Sequence, residues 1–346
     1  MKGFNQHKSV IFLLSISLLF VLTSCTSGTF TNAAEVTQTM ISTEVPTATI
    51  QPSTATPSVP TVMLIIAEGA DFDMVTQVQA VVESLAVADG LMLEIQDGSL
   101  PDTLPSNVNV VVSVGSGLDV NGLASSHQAA KFITIGDPNA LPGENMSVIG
   151  DPAVEAQQQA FMAGYLAAVI SFDYKVGGLF ESGVDSKTMD AFIIGTEFFC
   201  GLCRPQYPPY NDYPQVETLS LEGSIDTLQS TVDLLVGNAI EVLYLQGELI
   251  SPELLTYISD AGIKIVSDSS PDMSRNNWVG TVSPDPVSVL PDVWEELLSD
   301  STGVKVPAPI TLLDIEAELV SEGRMKLFVE MAADLQDGLI ATEIVP

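Results

Sequence analysis

Short runs rich in Val, Ile and Leu recur along this chain, each followed by a turn and then by a stretch of helical period. The runs are Val62 to Ala67, Leu91 to Gln96, Asn109 to Val114, Lys131 to Ile135, Lys175 to Phe180, Gln215 to Leu219, Glu241 to Leu245 and Ile263 to Ser267. A strand with one wet face alternates apolar and polar residues; most of these do not, so the pattern predicts strands covered on both faces by helices. The intervening segments fit that role. Asp73 to Ala88 places Val75, Val78, Val82 and Leu85 on one side, Ala153 to Ile170 is a long small-residue helix, and Thr227 to Val236 and Pro252 to Ala261 follow. Two successive β/α groups, divided near Ile170, predict an α/β domain of two Rossmann-like lobes over residues 61–346. Lobe 1 is expected to cover about 61–170 plus returning C-terminal segments, and lobe 2 about 171–280.

The N-terminus constrains where that domain works. Lys2 and Lys8 precede a predominantly apolar run from Val10 to Leu22, then Leu22-Thr23-Ser24-Cys25. The run is too short for a helix spanning ~30 Å of hydrocarbon, which favours a cleaved export signal over a permanent anchor. The final tetrapeptide resembles the lipobox of bacterial lipoproteins. That resemblance implies a signal peptide over 1–24 and a Cys25 that becomes the acylated N-terminus, a lipid (palmitate) anchor to the outer face of the cell membrane. From Thr26 to Pro60 about half the residues are Ser, Thr or Pro. Such a segment cannot bury enough apolar surface to fold, and its prolines keep it extended, so 25–60 is expected to be a disordered tether. The formal charge of −33 becomes −35 once residues 1–24, with two lysines and no acid, are removed. So acidic a chain is a poor partner for nucleic acid.

In an open parallel sheet the ligand lies beyond the carboxyl ends of the strands, where loops converge and helix N-termini present their N–H groups. That rule selects Glu68 to Phe72 after the first strand, Gly115 to Gly117 after the third, and Gly136 and Asp137 after the fourth. In the second lobe it selects Phe180 to Ser182, Gln246 to Glu248 and Asp268 to Ser270. Carboxylates, hydroxyls and aromatic rings in such loops suit a polar small molecule with a flat ring. Each is also an ordinary turn or capping residue, so only the collective pattern points to a site.

The stretch Gln157-Gln158-Gln159-Ala160-Phe161-Met162-Ala163-Gly164-Tyr165-Leu166-Ala167-Ala168, followed by Lys175-Val176-Gly177-Gly178-Leu179-Phe180, resembles the basic membrane lipoprotein family. These are purine-nucleoside-receptor-like substrate-binding lipoproteins of ABC transporters. Further echoes at Asn109 to Gly115, Lys131 to Asp137, Glu241 to Gln246, Ala261 to Asp268, Glu322-Gly323-Arg324 and Leu335 to Ile340 extend it over most of 61–346. The resemblance implies a type I periplasmic-binding-protein fold that closes about a hinge on its ligand and has no catalysis, with a nucleoside-like ligand and an ABC permease as partners. Carried over by position, Asp71 and Phe72 fall in the strand-one turn, Gly115 and Ser116 in the next cleft loop, Phe180 at the stacking position, and Asp268 on the ribose side. Gln246 closes the Glu241 run at the same edge. The sequence departs from the family at Asp71-Phe72-Asp73-Met74, where Asp-(small)-Phe-Asn is usual, and at Ser267-Asp268, where a glycine usually precedes the aspartate.

Cys200-Gly201-Leu202-Cys203 follows Phe192 to Phe199 and precedes a proline-rich loop. A thioredoxin-like site needs its C-x-x-C to open a helix, where the dipole lowers a thiol pKa; this one is expected to close one. A zinc site needs two more ligands, and the only histidines are His7 and His127. A local disulfide is the expected reading, since residues three apart in a turn meet the ~5.5 Å Cα spacing. No G-x-S-x-G, Walker A or G-x-G-x-x-G motif is present, and His127 stands alone in a polar helix end. The sequence therefore predicts no enzyme, no metal and no cofactor. Two alternatives to a transport receptor stand: a ligand sensor or degenerate binding domain without a transporter, and an extracytoplasmic thiol oxidoreductase using Cys200 and Cys203. Cys25→Ala is expected to yield an unacylated protein shed from the membrane. Metabolic palmitate labelling checks this, and label persisting on the variant would remove the lipobox reading.

Overall fold

The computed structural model describes residues 58–101, 103–271, 277–299 and 301–343. The export segment, Cys25 and the tether as far as position 57 lie outside the described residues. The chain enters the fold at Val59 and Pro60, whose carbonyls accept hydrogen bonds from Asn107 Nδ2 (3.2 Å) and Met92 N (2.9 Å). All eight runs become strands, two with the same bounds and the others with ends displaced by at most two residues.

The first lobe is built from β1 (Thr61–Ala67), α1 (Phe72–Ala88), β2 (Met92–Gly98), β3 (Val108–Val114), α2 (Val120–Ser126), β4 (Lys131–Ile135) and β5 (Met146–Ile149). The second contains α3 (Pro152–Ile170), β6 (Val176–Glu181), α4 (Ser186–Cys200), β7 (Gln215–Leu219), α5 (Ile225–Gly237), β8 (Val242–Leu245), α6 (Pro252–Asp260), β9 (Lys264–Ser267) and β10 (Trp278–Pro284). The chain then returns through α7 (Pro286–Leu298) and β11 (Lys305–Val306) to the first lobe. It ends in the second, with β12 (Ile310–Leu313) and α8 (Glu322–Gln336). One sheet runs β11-β5-β4-β3-β1-β2 and the other β12-β10-β9-β8-β6-β7. Each thus repeats the 2-1-3-4-5 order of a doubly wound unit plus one added edge strand. All neighbours pair in parallel except β12, which runs antiparallel to β10.

The period-2 geometry of a strand explains why the runs lack alternation. Val62, Leu64, Val110 and Val112 face α1 and α7, while Met63, Ile65 and Val111 face α2, and all are buried. In the second sheet Val176, Val242, Tyr244 and Val266 face α3, α4 and α8, whereas Leu179, Leu243, Leu245 and Ile265 face α5 and α6. Both faces of these inner strands are largely dry, so most positions are apolar, with Ser113 and Ser267 buried among them.

Sequence order places the Ala153 to Ile170 helix in lobe 1, and the structure corrects this. The chain crosses at Gly150–Asp151, before α3. That helix is buried continuously from Ala160 to Ile170, wedged between the second sheet and α4 and α8. A helix apolar all round has to be covered all round, and here the second sheet, α4 and α8 cover it. The lobe boundary therefore lies near residue 150, and the C-terminal segments serve both lobes. Gly164 and Gly195 let α3 and α4 touch: a Cβ on Gly164 would strike the Phe192 carbonyl, and one on Gly195 the Phe161 carbonyl.

Gly195→Ala must push α4 off α3, because the obstructing atom is backbone. The expected cost is about 1 to 3 kcal/mol, in the range of overpacked cores. A urea midpoint equal to that of the wild type would show that the close crossing carries no stability.

Candidate functional site

The directions of the strands fix where a ligand can sit. β5 leaves its sheet at Ile149 and passes through Gly150–Asp151 into α3; β10 leaves at Pro284 and passes through Asp285 into α7. β11 leaves at Val306 and passes through Pro307–Pro309 into β12, whose first residue, Ile310, pairs with Pro284. All three crossings start or end at the carboxyl edge of a sheet. The two carboxyl edges therefore face one hinge, and the loops beyond them form the walls of one cleft.

Within each lobe the strand order reverses beside the first strand, between β1 and β3 and between β6 and β8. Switch points of this kind open a crevice where neighbouring loops part in opposite directions. Asp71, Phe72, Gly115 and Ser116 lie at the first switch point, Gln246 at the second, and Asp268 one strand further along the second edge. Gly115 is held so close to strand one that a Cβ would stand 3.0 Å from Ala67 Cβ and 3.1 Å from Ala70 Cβ. Ser116 and Phe72 are exposed, Phe72 to 79%.

Several of the expected site residues turn out to be engaged within the fold. Asp71 is the N-cap of α1, its Oδ1 accepting from Met74 N at 2.8 Å. Gln246 Oε1 accepts from Glu181 N at 2.8 Å and ties the end of β8 to the end of β6. Phe180 requires the clearest correction. Its side chain is fully buried, with its ring 5.6 Å from Phe192 and 5.1 Å from Tyr244 between centroids, so its faces are closed to a stacking ligand. The reason is strand geometry: Phe180, like Val176, points to the α3–α4 face rather than out of the strand end.

Tyr244 connects that aromatic cluster to the cleft. Its hydroxyl donates to Asp268 Oδ2 at 2.9 Å, and Gly247 N donates to Asp268 Oδ1 at 2.6 Å. Burial pushes the Asp268 carboxyl up to about 6, aided by Glu248, while the Tyr244 and Gly247 hydrogen bonds pull the other way. Burial and the same carboxylate hold the Tyr244 phenol well above its ordinary value. A second polar group missed from the sequence is Asp314, just after β12. Its Oδ2 accepts from Ser270 Oγ (2.5 Å) and Thr281 Oγ1 (2.7 Å), and its backbone is left-handed at φ 49°. Nothing in the local sequence marks Asp314, which reaches this edge only through the antiparallel pairing of β12.

Polar groups at the two carboxyl edges include the exposed Ser116 on the first and the exposed Glu248 and Ser269 on the second, where Asp268 also keeps acceptor capacity. They can receive donors from a small polar molecule. No nucleophile is paired with a histidine here. His127 caps α2, contacting Leu123 O through Nδ1 (3.0 Å) and accepting from Leu104 N at Nε2 (3.3 Å). Cys200 and Cys203 are bonded to one another, with Cα atoms 4.8 Å apart, and they close α4 rather than open it. Among the described residues no cluster of three His, Cys, Asp or Glu side chains is placed to hold a metal, and no helix is long and apolar enough to cross a membrane.

Two doubly wound lobes, three crossings and facing carboxyl edges define the type I periplasmic-binding-protein fold. No family model and no curated protein sequence matches the chain. Among solved structures, the transcriptional activator of the comK gene from Bacillus halodurans superposes with a TM-score of 0.56 at 12% identity, over 80% of this chain and 98% of that one. An ABC transporter solute-binding protein from Aeropyrum pernix K1 gives 0.48 at 12% identity over 82% and 87%. A LacI family regulator from Enterococcus faecium with bound ribose gives 0.46 at 12% over 73% and 98%. At 12% identity the first of these likenesses carries the fold and nothing finer.

Asp268 should leave a mark on the pH dependence of stability. Its carboxyl holds a proton up to about pH 6 in the native protein and to its ordinary value of 3.8 when unfolded. Between those values the native state binds the extra proton, so this group's contribution falls as pH rises from about 4 to 6. Asp268→Asn removes the titration, and wild type should lose roughly 2 to 3 kcal/mol relative to it across that window. Parallel pH–melting curves for the two proteins would remove the assignment.

Proposed function

We propose that this chain is a lipid-anchored, extracytoplasmic solute-binding protein that captures a small polar ligand in its cleft and presents it to an ABC transporter permease. The observation that carries the reading is the facing of two switch-point edges across one three-stranded hinge, an arrangement suited to closing on a molecule from both sides. The lipobox-like Leu22 to Cys25 and the Ser/Thr/Pro segment after it support an anchored domain on a tether. The resemblance of Gln157 to Phe180 to the basic membrane lipoprotein family favours a nucleoside-like ligand. No chemistry on a bound ligand is part of the proposal.

The second reading, a sensor or degenerate domain without a transporter, is favoured by one specific feature. Phe180, the family's stacking position, is buried, while Asp71 and Gln246 are engaged in bonds within the fold. The remaining candidate ring is Phe72. A thiol oxidoreductase is not proposed: Cys200 and Cys203 stand at the carboxyl end of α4, where the helix dipole disfavours a thiolate.

A thermal-shift panel of nucleosides, bases, sugars and amino acids separates these readings. A ligand at 100 times its Kd adds about 2.7 kcal/mol to the native state, a midpoint rise of about 5 °C for a domain of this size. Asp268→Ala is then expected to weaken binding roughly tenfold by calorimetry. A shift with sugars or amino acids alone would replace the ligand class and keep the receptor; no shift across the panel would favour the degenerate domain.

A further inference from the structure

The three crossings between the lobes are not independent strands of backbone. Gly150 N donates to Val306 O at 2.8 Å, joining the first crossing to the third, and Asp285 N donates to Pro309 O at 2.7 Å, joining the second to the third. Prolines at 152, 284, 286, 307 and 309 fix φ on either side of these bonds. Side-chain charge is concentrated at the first and third crossings. Lys305 Nζ lies 2.7 Å from Asp151 Oδ2, holding the Asp151 carboxyl below its ordinary value. Glu155, one turn into α3, accepts from Asp151 N at 3.2 Å, and the backbone of Ala308 hydrogen-bonds to the same carboxyl. Gly150 is left-handed at φ 86°, and a Cβ there would lie 2.5 Å from Glu155 Oε1, so the carboxyl fills the space that a side chain on the crossing would occupy.

We propose that Asp151, Glu155 and Lys305 form a charge latch on the hinge that sets the resting balance between open and closed cleft before any ligand binds. The proposal rests on the reading that the two lobes close about this hinge. Its logic is geometric. Lys305 belongs to the edge of the first sheet, Glu155 to the first turn of a helix buried in the second lobe, and Asp151 to the crossing between them. A change of lobe angle must alter the spacing of these three groups, while the main-chain bonds of the sheets on either side stay intact. The charged groups facing Glu155 are Asp151 from its own crossing and Lys305 from β11. Burial, and then the Asp151 charge, push the Glu155 carboxyl above its ordinary range. Acidification therefore neutralises Glu155 while Asp151 still pairs with Lys305. The hydrogen bonds from Asp151 N and Ala308 then lose their charge assistance, and the repulsion between the two carboxylates disappears.

Single-molecule energy transfer on the full chain tests this. Dyes are attached through a genetically encoded ketone residue at Glu83 on α1 and Glu253 on α6, both exposed, which leaves the cysteines untouched. Because the Asp151–Lys305 pair is partly exposed, Lys305→Met is expected to change the open-to-closed ratio roughly two- to fivefold, with Lys305→Arg restoring it. Added salt should move the wild type toward the Lys305→Met ratio and leave that variant unmoved. Lowering the pH should move the wild type, and Glu155→Gln should remove that response. Two populations present in every variant at the wild-type ratio would overturn the latch and leave the hinge. A single narrow population, unmoved by variant, salt or pH, would overturn the closing motion itself.

Discussion

Every crossing between the lobes is made at the carboxyl edges of the two sheets, and this constraint organises the rest of the molecule. Parallel strands present the same end to every loop, so a crossing made there brings with it all the loops of that edge. Three such crossings force the two edges to face one hinge. The amino edges, with His127 at the end of α2 in one lobe and the Cys200–Cys203 turn in the other, are thereby turned away from the cleft. A residue's access to the cleft follows from which end of its strand it occupies, before its chemistry is considered.

At those edges, polar side chains divide between building the walls and facing the space between them. Asp71 satisfies an orphan N–H at the start of α1, and Gln246 ties two strand ends together. Buried amide groups need partners, and the nearest short polar side chain supplies one. Asp268 does both jobs: it is fixed by Tyr244 and Gly247 but remains at the edge with acceptor capacity. Phe180 reaches Asp268 indirectly, because its ring supports Tyr244, whose hydroxyl holds the carboxylate. The site is thus braced from a core cluster that no ligand need touch.

The hinge shows the same economy in electrostatic form. In a chain with 44 acids and 11 bases, one lysine is placed where two carboxylates meet at the crossing. Partly exposed charge pairs are weak by comparison with a buried core. A weak contact is the appropriate scale for a lobe equilibrium, which has to remain within reach of a ligand's binding energy.

The amino-acid sequence alone determined the α/β class, eight strands of the two sheets, the helices α1, α3, α5 and α6, and the edge at which polar loop residues gather. It could do so because these properties are local: a strand covered on both faces is apolar along most of its length, and an amphipathic helix shows its period within its own segment. Tertiary structure decided what depends on partners distant in the chain. β5, β10 and β12 take their places from the sheets they pair in, and α8 from the second-lobe core it covers. α3 joined the second lobe, where the sheet, α4 and α8 cover it. Phe180 was turned inward by the parity of its strand, and Asp314, Asp151 and Lys305 gained their roles from pairings 33 to 154 residues apart. Such pairings come from packing two sheets against a shared set of helices, and no window along the chain contains them.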